Sequence, residues 1–120
     1  MKNVVLLFLT VFFTVSYFSC TKDQTPSCVQ ADTVNTYTNS VKVILDAECA
    51  TGGCHDAVSA SGGVKLDTYS NAAEAAKNQA KFFCVIDWSC TPRMPQGYSA
   101  PLDTSLIHAI ERWRDNCLPE

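Results

Sequence analysis

Two cysteines and a histidine, Cys49, Cys54 and His55, have the residue types and spacing of a covalent cofactor site. Two thiols add to the vinyl groups of a haem, and a histidine directly after the second cysteine then lies under the iron. The usual pattern is C-x-x-C-H, whereas this chain has C-x4-C-H. The cysteine–histidine adjacency is intact, and Gly52 and Gly53 can absorb the longer loop because glycine adopts backbone angles that other residues avoid. The segment therefore predicts one covalently attached c-type haem.

The same three residues are compatible with other chemistries. A disulfide between Cys49 and Cys54 would give a haem-free binding or structural module cross-linked by three disulfides. Zinc could bind both thiols and His55, but a second ligand pair at normal spacing is missing. A haem with an open sixth site, as in a gas sensor or a peroxidase, is a further alternative, but no catalytic acid–base group beside the motif supports it.

The composition favours an oxidising compartment and argues against a nucleic-acid partner. A length of 120 residues corresponds to one domain. The net charge of −3 is not the basic footprint that nucleic-acid binding requires. Seven cysteines are more than a chain in a reducing compartment normally carries unless they bind metal.

The start of the chain predicts export and lipid anchoring. Residues 1–19 resemble a secretory signal peptide, with a lysine before the apolar run Val4–Phe18. That run is shorter than the roughly 20 residues of a membrane-spanning helix. A small residue before Cys20 resembles the lipobox of bacterial lipoproteins, so we expect Cys20 to be lipidated; simple secretion is the alternative. Residues 20–38 then form the lipidated N-terminus and tether, and 39–120 the domain.

The remaining cysteines predict two disulfides. With one cysteine assigned to lipid and two to haem, four are left, and they can pair in three ways. We favour Cys28–Cys117, which would join the start of the domain to its last helix, and Cys84–Cys90, which would close a short loop. In the chain-entropy model the first is worth roughly 4–5 kcal/mol.

Apolar periodicity predicts helices at 39–48, 71–83 and 103–117. In the first, the apolar turn Val41–Leu45 leads from the core to Cys49. The expected N-caps are Asn39 or Ser40 for the first helix, Asn71 with Glu74 for the second, and Asp103 or Thr104 for the third.

On the last helix, Leu106, Ile110, Trp113 and Cys117 form one apolar stripe at helical spacing. His108 lies on the opposite face, about 200° from Leu106 at about 100° per residue. We therefore expect His108 to be exposed and not to bind iron.

Met94 is the only methionine that remains once the signal peptide is removed. Pro92 and Pro95 stiffen its loop because their φ angles are fixed, which suits a thioether held at an iron. The alternative is a buried, gap-filling methionine. Beside it, Arg93 is either the partner of a haem propionate or ordinary surface charge.

Leu66, Tyr69 and the aromatic-rich segment 82–88 are apolar candidates between the motif and Met94. Each either lines a haem pocket or packs in the core. The sequence leaves both possibilities open.

The order of these parts over residues 40–117 resembles the small monohaem class I c-type cytochrome domains. The resemblance implies an all-α, small cytochrome c-like fold with three or more helices around one haem, in which the N- and C-terminal helices cross. It also implies Cys49 and Cys54 as thioether sites, His55 as the proximal ligand and Met94 as the distal ligand; the x4 spacing departs from the usual pattern. The matching parts are Val41–Leu45, Cys54-His55, the Gly-Gly-x-x-Leu-x-x-Tyr segment 62–69, Met94-Pro95, and Leu106 to Trp113.

The implied function is electron transfer by haem c with His/Met ligation, and not enzymatic catalysis. The implied partners are redox proteins of an electron-transport chain, and the protein would be a monomer. Together with the N-terminal features, this predicts an exported, membrane-anchored lipoprotein facing the periplasm or the cell surface.

Overall fold

Helices account for all the regular structure in the part of the chain that the computed structural model describes, residues 33–120 without the side chains of Gln79 and Ala80. No β-strand occurs among these residues, so the predicted all-α class is confirmed. Two short turns accompany the helices: a wide i→i+5 turn over Tyr37–Val41 and a tight 3-10 turn over Ser61–Gly63. The helices are α1 (Lys42–Glu48), α2 (Tyr69–Lys77), α3 (Gln79–Ile86) and α4 (Thr104–Asp115).

The first helical segment begins earlier than the sequence predicts. Thr36 has extended backbone angles, and its side chain accepts the N–H of Asn39 at 3.2 Å. That bond makes Thr36 the N-cap in place of Asn39 or Ser40, because it satisfies one N–H of the first turn. The packed domain also reaches back into the predicted tether, since Asn35 and Tyr37 are buried. The predicted apolar face is buried as expected, at Val41, Ile44 and Leu45.

The predicted single helix over 71–83 is two helices. Asn78 separates α2 from α3 with a ψ of 60°, outside the helical region. Asparagine readily leaves helical geometry because its side chain competes for backbone hydrogen bonds. The N-cap of α2 is Thr68, which accepts the N–H of Asn71 at 3.3 Å, so the prediction of Asn71 as the cap was wrong.

The last helix begins as predicted and buries a slightly different stripe. Asp103 caps α4 by accepting the Ser105 N–H at 2.8 Å. The helix ends at Asp115 and not at residue 117. The side chain of His108 is 57% exposed, as expected. The buried residues of α4 are Ile107, Ile110 and Trp113, whereas Leu106 is only half-buried.

An aromatic cluster joins the start of the described chain to its end. The ring of Tyr37 lies 5.6 Å from that of Tyr69 and 5.9 Å from that of Trp113. Trp113 is fully buried, and its indole N–H donates to the Pro119 carbonyl at 2.8 Å. The same carbonyl accepts the backbone N–H of Tyr37 at 2.8 Å. The turn Tyr37–Val41 therefore packs on α4.

The predicted Cys84–Cys90 disulfide is present, with a Cα–Cα distance of 5.2 Å. Cys117 is also disulfide-bonded. Its predicted partner Cys28 lies outside the described residues, as do the signal peptide (1–19), Cys20 and most of the tether. Within 33–120, no helix is long and apolar enough to cross a membrane.

Candidate functional site

Residues from two separate parts of the sequence, the cysteine motif and the Met94 loop, line one cavity. Cys49, His55 and Met94 line a cavity of about 560 Å³, next to the tight turn that follows the cysteine motif. Pockets for small molecules and cofactors usually have volumes of about 300–1,000 Å³. Its apolar wall includes Leu66, Phe82, Val85 and Ile86.

A smaller cavity adjoins the first one. It measures about 170 Å³ and is lined by Cys54, and it shares Cys49, His55 and Met94 with the larger cavity. The two cavities are therefore neighbouring parts of one groove. The groove brings both cysteines of the motif, the histidine and the methionine onto a common surface.

Helix α1 ends directly before Cys49 and so places the start of the motif at this groove. Its last turn carries the chain from the buried Leu45 to Cys49, which is only 8% exposed, while Cys54 is exposed. The His55 N–H donates to the Cys49 carbonyl at 3.1 Å, which closes the loop between the cysteines. Both thiols are free.

The longer loop of the C-x4-C-H pattern is held by one glycine and one carboxylate. Gly53 has a φ of +88°, which side chains rarely tolerate, whereas Gly52 has no positive φ. The Gly53 N–H donates to an Asp56 carboxylate oxygen at 2.9 Å, and the N–H groups of Val58 and Ser59 donate to the other oxygen. Hydrogen bonds from Ser59 above all, and then those from Val58 and Gly53, stabilise the charged carboxylate and lower the pKa of Asp56. The only feature of the sequence that could have indicated these hydrogen bonds is the presence of an aspartate directly after His55.

A backbone carbonyl fixes the tautomer of His55. The Nδ1 atom lies 3.1 Å from the Val64 carbonyl oxygen. A carbonyl only accepts, so in the neutral ring Nδ1 carries the hydrogen and Nε2 keeps its lone pair. Histidines that bind metals characteristically donate their second N–H to a carbonyl or carboxylate in this way. The Leu66 N–H donates to the His55 carbonyl at 2.9 Å and holds the segment after the tight turn against the motif.

The backbone of Met94 is fixed on both sides. Its N–H donates to the Val85 carbonyl at 2.9 Å, and its own carbonyl accepts the indole N–H of Trp88 at 2.8 Å. The side chain is half-buried and lines both cavities. Trp88 belongs to the aromatic-rich segment 82–88 that the sequence singled out, but its hydrogen bond to Met94 was not predicted, because spacing does not reveal that contact.

Two predicted pocket residues lie elsewhere. Tyr69 packs in the aromatic cluster, and its hydroxyl donates to the Leu118 carbonyl at 2.8 Å, so its core alternative holds. Arg93 is exposed, and its guanidinium carbon lies 5.4 Å from the centre of the Trp88 ring. Neither residue lines the larger cavity, whereas Leu66 does.

Different causes shift the pKa values of the buried Cys49 and of the exposed Tyr98, which both line the groove. Burial raises the pKa of the Cys49 thiol to about 12, with smaller contributions from the Glu48 carboxylate and from Cys54. The Glu48 carboxylate accepts a 2.6 Å hydrogen bond from Tyr98, which raises the pKa of that phenol. The charged residues lining the larger cavity are Lys65, Glu74 and Lys81.

Comparisons with known proteins identify no relative. No family model, no curated protein and no solved structure matches the chain. Among residues 33–120, no group of three or more His, Cys, Asp and Glu side chains has the arrangement of a metal site.

Proposed function

We propose that the protein transfers electrons through one covalently attached c-type haem, with His55 and Met94 as the axial ligands of the iron. The observation that carries the proposal is the meeting of Cys49, His55 and Met94 at one cavity of about 560 Å³. When bound, the haem supplies a one-electron Fe(II)/Fe(III) couple, and methionine ligation together with burial raises its potential. Two protein ligands leave no iron site open to a substrate.

The residues around the groove suit this group. The Nε2 lone pair of His55 is available because Nδ1 is held by a carbonyl. The thioether of Met94 is a soft ligand on a fixed backbone. Cys49 and Cys54 offer two free thiols at adjoining parts of the groove, one for each vinyl group.

We also propose that the four helices form a small cytochrome c-like fold around the haem. The contact between the turn Tyr37–Val41 and α4 supports this arrangement, because it brings the first and last helical segments together. The cavity lies away from that contact, between the motif loop and α3. The apolar wall of the cavity would cover the faces of the porphyrin.

The free thiols favour this function over the haem-free module. That alternative requires a Cys49–Cys54 disulfide, whereas both residues are free thiols and the disulfide between described residues is Cys84–Cys90. In the proposed cell context, Cys20 carries lipid on the outer side of a bacterial membrane. The partners are then other redox proteins, which bind the monomeric domain through small, short-lived interfaces.

The two histidines of the chain provide a matched test. His55→Ala removes the imidazole at the groove, and His108→Ala removes an exposed one on α4. We expect the first variant to lose stable holoprotein and the second to retain haem at the wild-type level, both measured from the visible spectrum per protein. Normal haem content in His55→Ala would refute the proposal.

A further inference from the structure

The loop between Cys84 and Cys90 contacts the proposed distal ligand, Met94. Trp88, which lies in this loop, donates its indole N–H to the Met94 carbonyl at 2.8 Å. The Met94 N–H is held at 2.9 Å by Val85, in the last turn of α3. Both polar groups of the Met94 backbone are therefore bound by a single stretch of chain, residues 85–88.

Several contacts hold Trp88 itself in place. The disulfide closes the loop, and the Cys90 N–H donates to the Cys84 carbonyl at 3.0 Å. The guanidinium of Arg93 covers the ring of Trp88 at 5.4 Å. The φ of Trp88 is +65°, a sparsely populated conformation for a bulky residue. Such conformations persist where surrounding contacts impose them, and they cluster at functional sites.

We infer that Trp88 is a positioning residue for Met94: its indole N–H, presented by the disulfide-closed loop, holds the methionine in the wall of the cavity that also contains His55. The inference rests on the proposed function, in which the thioether binds iron. A ligand on a fixed backbone loses less conformational freedom on binding than one on a mobile loop. Trp88 thus favours the thioether over competing ligands without touching the cofactor site itself.

Two tryptophans allow a matched experiment on the holoprotein. Trp88→Phe keeps an aromatic ring under Arg93 but removes the N–H that reaches Met94. Trp113→Phe removes an indole hydrogen bond of the same length, 2.8 Å, from the core at Pro119. Each variant thus loses one indole hydrogen bond of 2.8 Å, and only the first loses it at the proposed ligand.

The readouts are the weak iron–thioether absorption band of the oxidised protein and the affinity of added imidazole for the iron. In Trp88→Phe we expect the band to weaken and imidazole to bind roughly two- to tenfold more tightly, the factor that one net hydrogen bond represents. In Trp113→Phe we expect lower thermal stability with both readouts unchanged. An unchanged band and unchanged imidazole affinity in Trp88→Phe would overturn the inference.

Failure of the inference is distinguishable from failure of the proposed function. A wild-type protein without haem or without the band contradicts the proposed function, whereas a normal wild type with an unaffected Trp88→Phe variant contradicts only the role of Trp88. If Trp88→Phe does not fold, the Cys84→Ser/Cys90→Ser double variant decides instead. It leaves the indole in place but opens its loop, and the inference predicts a weaker band there too; a wild-type band would overturn it.

Discussion

The two cysteines of the motif differ in burial, and this difference predicts unequal reactivity of their thiols in the haem-free chain. Alkylation proceeds through the thiolate. Burial raises the pKa of Cys49 from 9.0 to about 12, so near pH 8 its thiolate fraction is about a thousandfold below that of an unperturbed thiol. A thiolate of higher pKa is the better nucleophile, with a Brønsted coefficient of about 0.4–0.5, which recovers about twentyfold. We therefore expect Cys49 to react about fiftyfold more slowly than an unperturbed thiol, before any steric hindrance.

The assay uses the chain produced without haem attachment. Iodoacetamide is added near pH 8, samples are quenched over time, and peptide mass spectrometry measures alkylation at each cysteine. Exposed Cys54 serves as the internal reference, and the disulfide-bonded Cys84, Cys90 and Cys117 do not react. A guanidinium-denatured sample gives the rates without burial, and circular dichroism establishes that the untreated sample is helical.

Two results would refute this reasoning. Equal alkylation of Cys49 and Cys54 in a helical sample would show that Cys49 is not buried at the end of α1. Absence of alkylation at both, with a mass lower by two hydrogens, would indicate a Cys49–Cys54 disulfide. That second result would favour the haem-free module.

Further predictions concern the stability of the fold and the proposed ligand Met94. In the haem-free chain, the pKa of the Cys49 thiol is lower in the unfolded state than in the folded state, so the free energy of unfolding falls as the pH rises from 9 towards 12, by about 1.4 kcal/mol per pH unit at most. In pH-dependent denaturation, Cys49→Ser should lack this loss. Thr68→Ala lowers the free energy of unfolding by about 1 kcal/mol through loss of the α2 cap, and urea denaturation should show a smaller effect for Asn71→Ala. Trp113→Ala costs about 3–5 kcal/mol in the same assay because the ring is fully buried. Met94→Leu conserves volume and costs less than about 1.5 kcal/mol from packing alone, yet the oxidised holoprotein should lose the iron–thioether band; a retained band would contradict ligation.

The sequence predicts elements and candidate residues where local chemistry decides them. The apolar positions of α1 and the Asp103 cap of α4 are local features, and both are as predicted. The Cys84–Cys90 disulfide also follows from a short separation. Where two residues compete for a local role, the sequence is less decisive: Thr36 caps the first helical segment, although Asn39 is an equally good capping residue.

The supporting contacts of the site could not be predicted because they depend on the path of the backbone. The Val64 carbonyl that fixes the His55 tautomer and the Trp88 indole that holds Met94 both act on or through backbone atoms, which have no sequence signature. Likewise, Tyr69 and Leu66 share one segment, but only Leu66 lines the cavity. The break between α2 and α3 at Asn78 was not predicted either, because apolar periodicity alone does not reveal it.

The four-residue spacing between the cysteines is compatible with the folded loop. Gly53 takes the left-handed conformation that the turn needs. The Asp56 carboxylate accepts the Gly53 N–H inside the loop and the N–H groups of Val58 and Ser59 in the segment after it. Gly53 is therefore held by specific contacts with the segment that follows the motif. Gly53→Ala should strain the backbone although nothing lies within 4 Å of the added methyl group, because the positive φ and not crowding is the obstacle.

The most direct test of the central claim is a reduced-minus-oxidised visible spectrum of the full chain purified from its native membrane, with an intact mass on the same sample. We predict sharp bands in the reduced state and a mass greater than that of the apoprotein by one haem, with neither Cys49 nor Cys54 available to a thiol reagent. A colourless sample at the apoprotein mass, short by two hydrogens for a Cys49–Cys54 disulfide, would contradict the account.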